Sequence, residues 1–266
     1  MLTMTTKYSL EIKSVQSNNI RTLFEVLKEV LIDFNIIVTD KGIRVTSMGH
    51  ANIALVHLKL EADQFQTFYC EKTMILGVNA QNLFKVIKNI TNLDTVSLLV
   101  ERSDETKLII RAENIENNTQ CTYRYNLLDL HYEEYPIPPQ TFDSEINLPS
   151  DQFNSICKML NNLQAEDLEI TSVGQQLILK GNGLISSAEL KLGNSSGTVF
   201  NKYDNDIIVQ GRFPLDYLIQ FSKASGLSKT VQLYLMNDSP LVLAYTVGSL
   251  GIIKFLLACK LPDSDL

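Results

Sequence analysis

The sequence is poor in the groups that build disulfide frameworks, metal sites or membrane spans. Only four cysteines occur among 266 residues, they lie far apart, and no two form a CxxC pair. This spacing argues against a zinc ribbon or a disulfide-rich fold and fits a reducing compartment. The first ten residues contain no long apolar segment, and no apolar run approaches the roughly 18 residues of a membrane span. We therefore expect a soluble intracellular protein, and a hydrophobic content of 45% allows it a substantial core.

Signatures of catalysis are also missing. The phosphate-binding pattern GxxxxGK[ST] does not occur, and the glycines Gly181 and Gly183 are more simply explained by a hairpin turn. The three histidines, His50, His57 and His131, are not spaced from cysteines or acidic residues as a zinc or catalytic set would be. We predict no catalytic residue, no metal site and no cofactor. An enzyme on a duplicated α+β scaffold is the remote alternative.

Positive charge is scarce as well. The chain has 30 acidic and 23 basic residues, which gives a net charge of −7. Binding to nucleic acid normally needs a basic surface. A nucleic-acid function would therefore require the basic residues to be segregated onto one face.

What the sequence does contain is an internal repeat. Residues 78–100 align without a gap with residues 213–235, at a constant offset of 135 that is about half the chain. Five positions are identical, among them Lys88 with Lys223 and Thr95 with Thr230. An earlier pair, residues 23–30 with residues 153–160, supports the same duplication. The protein is predicted to consist of two copies of one domain.

Each copy is predicted to combine two helices with eight or nine strands. The helical period, with apolar residues at i, i+3, i+4 and i+7, occurs four times. The four sets are Leu23, Val26, Leu27 and Val30; Leu83, Val86, Ile87 and Ile90; Phe153, Ile156, Cys157 and Leu160; and Leu218, Phe221, Ser222 and Ser225. Pro149 and Pro214 are suitable helix starts. Most of the remaining sequence consists of short β-prone runs separated by turns such as Asp40-Lys41-Gly42.

The helices supply the segregated charge that a nucleic-acid function requires. Lysine stands five residues after the first apolar residue of every set, at Lys28, Lys88, Lys158 and Lys223. Five residues correspond to about 140° of helix rotation, which places these lysines away from the apolar stripe. Lysine opposite an apolar stripe is also an ordinary solvated position. Four lysines at one register nevertheless favour contacts with phosphates, which are sequence-independent and salt-sensitive.

A proline-rich stretch, residues 127–142, separates the two halves. It holds three of the seven prolines, and proline fixes φ and lacks an N–H. We expect an extended connector on the surface, either docked on the protein or offered to a partner.

In four blocks the sequence resembles the eukaryotic and archaeal sliding clamps, the proliferating cell nuclear antigen family. The blocks are residues 45–56 (VTSMGHANIALV), 69–79 (YCEKTMILGVN), 128–130 (LDL) with 136–138 (PIP), and 239–245 (SPLVLAY) leading into 254–260 (KFLLACK). The resemblance implies an α+β DNA-clamp fold with two similar domains, each an antiparallel sheet backed by two helices. Its implied boundaries are an N-terminal clamp domain at 1–126, an interdomain connecting loop at 127–142 and a C-terminal clamp domain at 143–266.

The resemblance also implies an assembly and its partners. Three subunits would close head to tail into a ring around double-stranded DNA, which would bind without sequence preference. Edge strands near residues 119–126, with Tyr123, and near residues 177–192 would pair between subunits. The implied DNA-facing residues are Arg21, Lys28, Lys85, Lys88, Lys158 and Lys223. The ring would raise the processivity of DNA polymerase, in the nucleus or in the replication compartment of a virus.

A partner pocket is implied beneath the connector. It would receive short peptides with a glutamine, an aliphatic residue and two aromatics, carried by DNA polymerase, the clamp loader and other replication and repair proteins. The implied pocket residues are Met48, Asn52, Ile53, Leu55, Tyr135, Ile137, Pro240, Leu256, Ala258 and Cys259. Asn52, Tyr135, Leu256 and Cys259 depart from the residues that relatives carry, so we expect a reshaped pocket. The alternative is a divergent clamp relative, either a subunit of a checkpoint-type heterotrimer or a monomeric viral processivity factor.

Overall fold

The computed structural model describes residues 7–49, 51–132, 135, 141–194, 197–202 and 206–260. The described residues form four α-helices and eighteen β-strands. The helices are α1 (Ser17–Val30), α2 (Ala80–Ile87), α3 (Ser150–Asn162) and α4 (Leu215–Ser222). The strands of the first half are β1 (Tyr8–Ser14), β2 (Asp33–Thr39), β3 (Gly42–Met48), β4 (Ala54–Glu61), β5 (Thr67–Cys70), β6 (Met74–Asn79), β7 (Thr95–Glu101), β8 (Asp104–Asn114) and β9 (Thr119–Asn126). Those of the second half are β10 (Ser144–Pro149), β11 (Asp167–Val173), β12 (Gln176–Asn182), β13 (Ser187–Gly193), β14 (Val199–Lys202), β15 (Val209–Pro214), β16 (Thr230–Leu235), β17 (Leu241–Val247) and β18 (Gly251–Leu257).

The predicted duplication is confirmed at the level of elements. Strand β15 has the bounds of β6 shifted by 135 residues, α4 has those of α2, and β16 begins 135 residues after β7. The residues that end the two short helices, Lys88 and Lys223, both have right-handed helical φ and ψ. A repeat seen in five identical residues therefore reflects one supersecondary unit used twice.

The alignment of the two longer helices, in contrast, is wrong by three residues. Helices α1 and α3 begin at Ser17 and Ser150, an offset of 133 rather than 130. With this offset the buried residues Ile20, Leu23, Phe24 and Leu27 match Phe153, Ile156, Cys157 and Leu160. Lys158 then corresponds to Glu25, so Lys28 and Lys158 do not share one helical position.

The first compact unit consists of Met1–Ser47, His57–Tyr135 and Val247–Ile252. Its five-stranded antiparallel sheet has the order β5-β1-β7-β8-β9, and β2 pairs with β3 on one side and β6 on the other. Helix α1 packs against α2. Leu10, Leu27, Val78 and Leu83 are at most 1% exposed and lie in the core of this unit.

The second compact unit consists of Met48–Val56, Pro136–Thr246 and Ile253–Leu266. One of its antiparallel sheets has the order β13-β12-β11-β15, and β10 pairs with β14 and β16. Helix α3 packs against α4. In the core the rings of Phe221 and Phe255 are stacked with centroids 4.6 Å apart, and Tyr245 meets Phe255 edge-on. Neither unit follows a single cut in the chain, because each contains short segments from the other half of the sequence.

Helix α4 departs from the predicted pattern at its end. The chain tightens into a 3-10 turn at Lys223–Gly226, which has three residues per turn. The buried residues consequently recur every third position, at Leu218, Phe221, Ala224 and Leu227. Ala224 therefore occupies the core position that the α-helical period assigned to Ser225.

The connector begins without regular secondary structure, and the turn expected at Gly181 is shifted along the chain. Leu127–Leu130 follow β9 without entering a helix or a long strand, and Leu128 forms an isolated antiparallel bridge with Gly77. The turn expected at Gly181-Asn182-Gly183 lies slightly later, because β12 continues through Asn182. The Gly183 N–H instead donates to the Ser186 carbonyl, at 2.9 Å, and closes the turn before β13.

Candidate nucleic-acid and partner interfaces

Four of the predicted DNA-facing lysines are exposed on or at the end of helices. They are Lys85, Lys88, Lys158 and Lys223. Arg21 is half-buried, and its Nη2 donates to Asn18 Oδ1 at 2.7 Å within the same helix face. Lys85 makes the corresponding contact on α2, where Nζ donates to Asn82 Oδ1 at 3.0 Å. These contacts orient the cations without neutralising them.

Lys28 does not face outward as predicted. Its side chain is only 17% exposed, Nζ pairs with Glu29, and Nζ lies 4.9 Å from the centroid of the Phe84 ring. The physical reason is the broad apolar face of α1, where Ile20 and Phe24 are buried in addition to the predicted stripe. Lys28 consequently stands at the margin of the buried face, while Glu25 is exposed.

The charge on the helical faces is modestly positive and unevenly distributed. Helices α1, α3 and α4 carry the acidic residues Glu25, Glu29, Asp151 and Asp216, whereas α2 carries none. Lys85 and Lys88 therefore form the least compensated pair of cations on the described helices. An anionic polymer at this face would meet weak attraction, which decreases as salt screens it.

Two strands present long edges to the surface. In the described part of the first unit β9 ends the five-stranded sheet, and in the second unit β13 ends the four-stranded sheet. Tyr123, the predicted interface residue, is half-buried on β9. The range 177–192 predicted for the second edge was too wide, because β12 pairs on both sides, with β11 and with β13. Only β13 offers unpaired backbone groups there.

The residues predicted for the partner pocket lie mostly in the second unit. The turn between β3 and β4 is closed by the Gly49 N–H bonded to the Ala54 carbonyl, with Asn52 at φ 57°. Beside it the Ala258 N–H donates to the Ile53 carbonyl at 2.9 Å, which joins this turn to the C-terminal segment. Asn52 and Ala258 are exposed, and the half-buried predicted residues of this unit are Met48, Ile53, Leu55, Pro240, Leu256 and Cys259. Tyr135 is exposed in the first unit, and Ile137 lies outside the described residues.

A groove of about 940 Å³ lies in the second unit next to these residues. Pro240, Ala258 and Cys259 line it, as predicted for the pocket. The remainder of the lining was not predicted from the sequence, and it is more polar than the expected apolar cup. These residues include Glu169, Ile208, Gln210, Arg212, Asn237 and Lys260.

A buried carboxylate stands next to the groove. The Asp167 side chain is 5% exposed, with Arg212 Nε 2.8 Å from Oδ2 and Lys260 Nζ 2.5 Å from Oδ1. Both cations are more than 40% exposed and line the groove. No sequence signal links these three residues, because they are far apart in the chain. The register of β11 with β15 brings Arg212 near Asp167, and the backbone bond from the Lys260 N–H to the Arg212 carbonyl brings Lys260 there.

Other titratable groups include two buried side chains and the histidines. Burial raises the pKa of the Cys157 thiol to about 12 and raises the pKa of Tyr245 well above its usual value. His57 Nδ1 lies 3.1 Å from Thr46 Oγ1, His131 is exposed, and His50 lies outside the described residues. Among the described residues no three of His, Cys, Asp or Glu are grouped to hold a metal ion. No helix in the described chain is both long and apolar enough to cross a membrane.

Comparison with known proteins relates this architecture to one family. The model of the proliferating cell nuclear antigen N-terminal domain matches residues 9–134, and that of the C-terminal domain matches residues 136–260. The chain is 32% identical, over 251 residues, to a probable DNA polymerase sliding clamp of Paramecium bursaria Chlorella virus 1, covering 93% of this chain and 95% of the relative. The proliferating cellular nuclear antigen of Entamoeba histolytica superposes with a TM-score of 0.88 at 26% identity, covering 96% of this chain and all of that one. The predicted fold class is thereby confirmed, and the chain belongs to the proliferating cell nuclear antigen family of DNA sliding clamps.

Proposed function

We propose that the protein is a homotrimeric clamp that encircles duplex DNA, raises polymerase processivity and recruits replication and repair proteins. The observation that carries this proposal is the repeated unit in which an exposed lysine ends each short helix, Lys88 after α2 and Lys223 after α4. A closed ring retains DNA by topology, so its contacts with phosphates need only be weak and independent of sequence. The protein itself would carry out no reaction.

Pairing of β9 with β13 of a second copy would build the ring. The half-buried face of β9 carries Tyr123 and Tyr125, and that of β13 carries Leu190 and Leu192. Antiparallel pairing with Tyr123 opposite Leu190 would join these apolar faces. The same register would set Arg124 opposite Glu189, both exposed on the other face of their strands. Two different edges on one chain form a head-to-tail contact, which closes when the rotation per subunit fits.

Partner proteins would bind at the groove in the second unit. A short peptide with one glutamine, one aliphatic and two aromatic residues suits a groove that combines Pro240 and Ile208 with polar groups. DNA polymerase and the clamp loader are the expected carriers of such peptides. The site of action would be the nucleus, or a viral replication compartment if the chain is virally encoded.

Charge reversal tests the DNA-facing role. We expect Lys85→Glu with Lys88→Glu to lower clamp-dependent DNA synthesis by about tenfold at physiological salt, because two cations on the one helix without acids become anions. Light scattering should show an unchanged assembly. Lys41→Glu with Lys72→Glu, which alters two exposed lysines outside the helices, is the matched control and should leave synthesis within about twofold. Equal synthesis by both double variants would remove α2 from the DNA-binding face.

A further inference from the structure

The last described residues form one side of the groove. After β18 ends at Leu257, the C-terminal segment (Ala258–Lys260) makes two backbone hydrogen bonds to other described residues of the unit. The Ala258 N–H donates to Ile53 O at 2.9 Å, and the Lys260 N–H donates to Arg212 O at 2.8 Å. All three residues of the segment line the groove. Its position therefore determines how wide the groove is.

The buried Asp167 carboxylate provides the additional attachment. It forms ion pairs with Lys260 of the C-terminal segment and with Arg212 of β15. These two residues are also joined by the backbone hydrogen bond from the Lys260 N–H to the Arg212 carbonyl. Among the described residues neither oxygen of the Asp167 carboxylate forms a hydrogen bond, so the two cations hold it as ion pairs. A buried charge is tolerated only when it is paired, so the carboxylate strongly favours conformations in which both cations stay in contact.

The same arrangement keeps Asp167 out of the lining of the groove. At 5% exposure its side chain cannot contact a peptide in the groove, whereas Arg212 and Lys260 reach the groove with more than 40% of their side chains exposed. An effect of Asp167 on binding would have to pass through the two cations and the C-terminal segment.

We propose that Asp167 is a positioning residue for partner recognition: it fixes the C-terminal segment through Lys260 and Arg212 and thereby sets the affinity of the groove for clamp-binding peptides. The proposal rests on the peptide-recruiting function proposed above. Without the carboxylate, two like charges remain side by side, and the C-terminal segment loses the ion pair that adds to its backbone bonds with Ile53 and Arg212.

The test is fluorescence anisotropy with a labelled synthetic peptide that carries one glutamine, one aliphatic and two aromatic residues. We expect Asp167→Asn, which keeps the shape and removes the charge, to weaken binding of this peptide to the full chain by at least tenfold. Hydrogen–deuterium exchange without peptide should accelerate at Ala258 and Lys260 and remain unchanged in β12. Light scattering should report the same mass for both proteins. The proposal would be overturned if the Asp167→Asn variant had the same peptide affinity and the same hydrogen–deuterium exchange rates as the parent protein.

The matched control is Glu169→Gln on the same strand. Glu169 also lines the groove, but its partner is Lys180 of β12, at 3.6 Å, and not the C-terminal segment. We expect less than a twofold change in peptide affinity for this variant. A loss equal to that of Asp167→Asn would mean that general groove charge, and not the C-terminal segment, controls binding.

A second variant keeps the test decisive if Asp167→Asn does not fold. Lys260→Gln removes a half-exposed partner and leaves the ion pair of Asp167 with Arg212, so the fold is retained. We expect weaker peptide binding, faster exchange at Ala258, and a non-additive effect with Asp167→Asn in a double-mutant cycle. Unchanged binding by Lys260→Gln, or strict additivity, would contradict the proposal. Failure of the parent protein to bind the peptide would instead contradict peptide recruitment itself.

Discussion

The reactivity of a cysteine in this protein depends on how far its surroundings exclude water. Cys157, on the buried face of α3, has its pKa raised to about 12 because burial disfavours the thiolate. Cys121 is exposed on the free edge of β9. The same functional group is therefore inert in one place and accessible in the other, and only the thiolate reacts with alkylating reagents.

Alkylation at pH 8 should separate these two cysteines. We expect iodoacetamide to modify Cys121 and to leave Cys157 untouched in the native protein, because burial raises the pKa of the Cys157 thiol and shields it from the reagent. Mass spectrometry of proteolytic fragments reads out each site. Pairing of β9 with a second copy should also slow modification of Cys121 as the protein concentration rises. Rapid modification of Cys157 would contradict its burial, and a rate at Cys121 that does not depend on concentration would argue against β9 as an interface.

The limits of sequence-based prediction are clearest at individual side chains. The exposed positions of Lys88, Lys158 and Lys223 could be predicted because helical period alone places them away from the apolar stripe. Lys28 could not, because its environment depends on Glu29 and on Phe84 of another helix. The ion-paired Asp167 was likewise unpredictable, since its partners are brought to it by strand register and by the end of the chain.

The start of the connector is held against β6 by a close contact between the two backbones. The Leu128 N–H donates to Gly77 O at 2.9 Å, and a Cβ on Gly77 would lie 2.2 Å from the Leu128 carbonyl oxygen. Only glycine permits this approach between β6 and the connector. The bridge fixes the point at which the connector leaves β9.

A methyl group at this position should release the connector. We expect Gly77→Ala to lower the free energy of unfolding by about 1–3 kcal/mol, because the backbones must separate and the bridge must break. Denaturation in urea measures this loss, and hydrogen exchange at Leu128 should become faster. Gly193→Ala is the control, since a Cβ there would meet no atom within 4 Å. Equal stability of the two variants would show that the bridge contributes little.

The boundaries of helices could be predicted where the α-helical period of apolar residues continues. They could not be predicted where the chain changes to a different helical period. Pro149 and Pro214 directly precede α3 and α4, as expected from a residue that fits a helix start. The switch to a 3-10 turn at Lys223 has no local signature, because packing of Ala224 and Leu227 decides it. The edge strands show the same limit. The resemblance implies an edge strand within residues 177–192, but topology decides that β13 and not β12 forms the edge.

The whole molecule combines a net charge of −7 with basic residues on its helices. Six cations stand on or at the ends of the four helices, against four acids. Cations that are largely offset by acids on the same helices would attract DNA only weakly. A clamp that must move along DNA benefits from this balance, because strong contacts would hold it in place.

The protein is expected to assemble into a trimer of identical chains. We expect light scattering at micromolar concentration to give three times the chain mass of 30.0 kDa. Tyr123→Ala should shift the protein toward single chains, because it removes an aromatic ring from the paired face of β9. Tyr132→Ala, an exposed tyrosine outside that strand, should not. A parent protein that stays monomeric would favour a monomeric processivity factor, and one that trimerises only with other subunits would favour a heterotrimer.

The two unlike strand edges have a consequence for copies that meet at the wrong angle. Each chain that joins through β13 still offers its own β9, so binding never uses up the last free edge unless the ring closes. A change in the angle between successive copies would leave the edge contact intact and turn a finite ring into a growing filament. Substitutions that harm this protein without unfolding it could thus appear as fibrous polymers, visible by electron microscopy, rather than as dissociated chains.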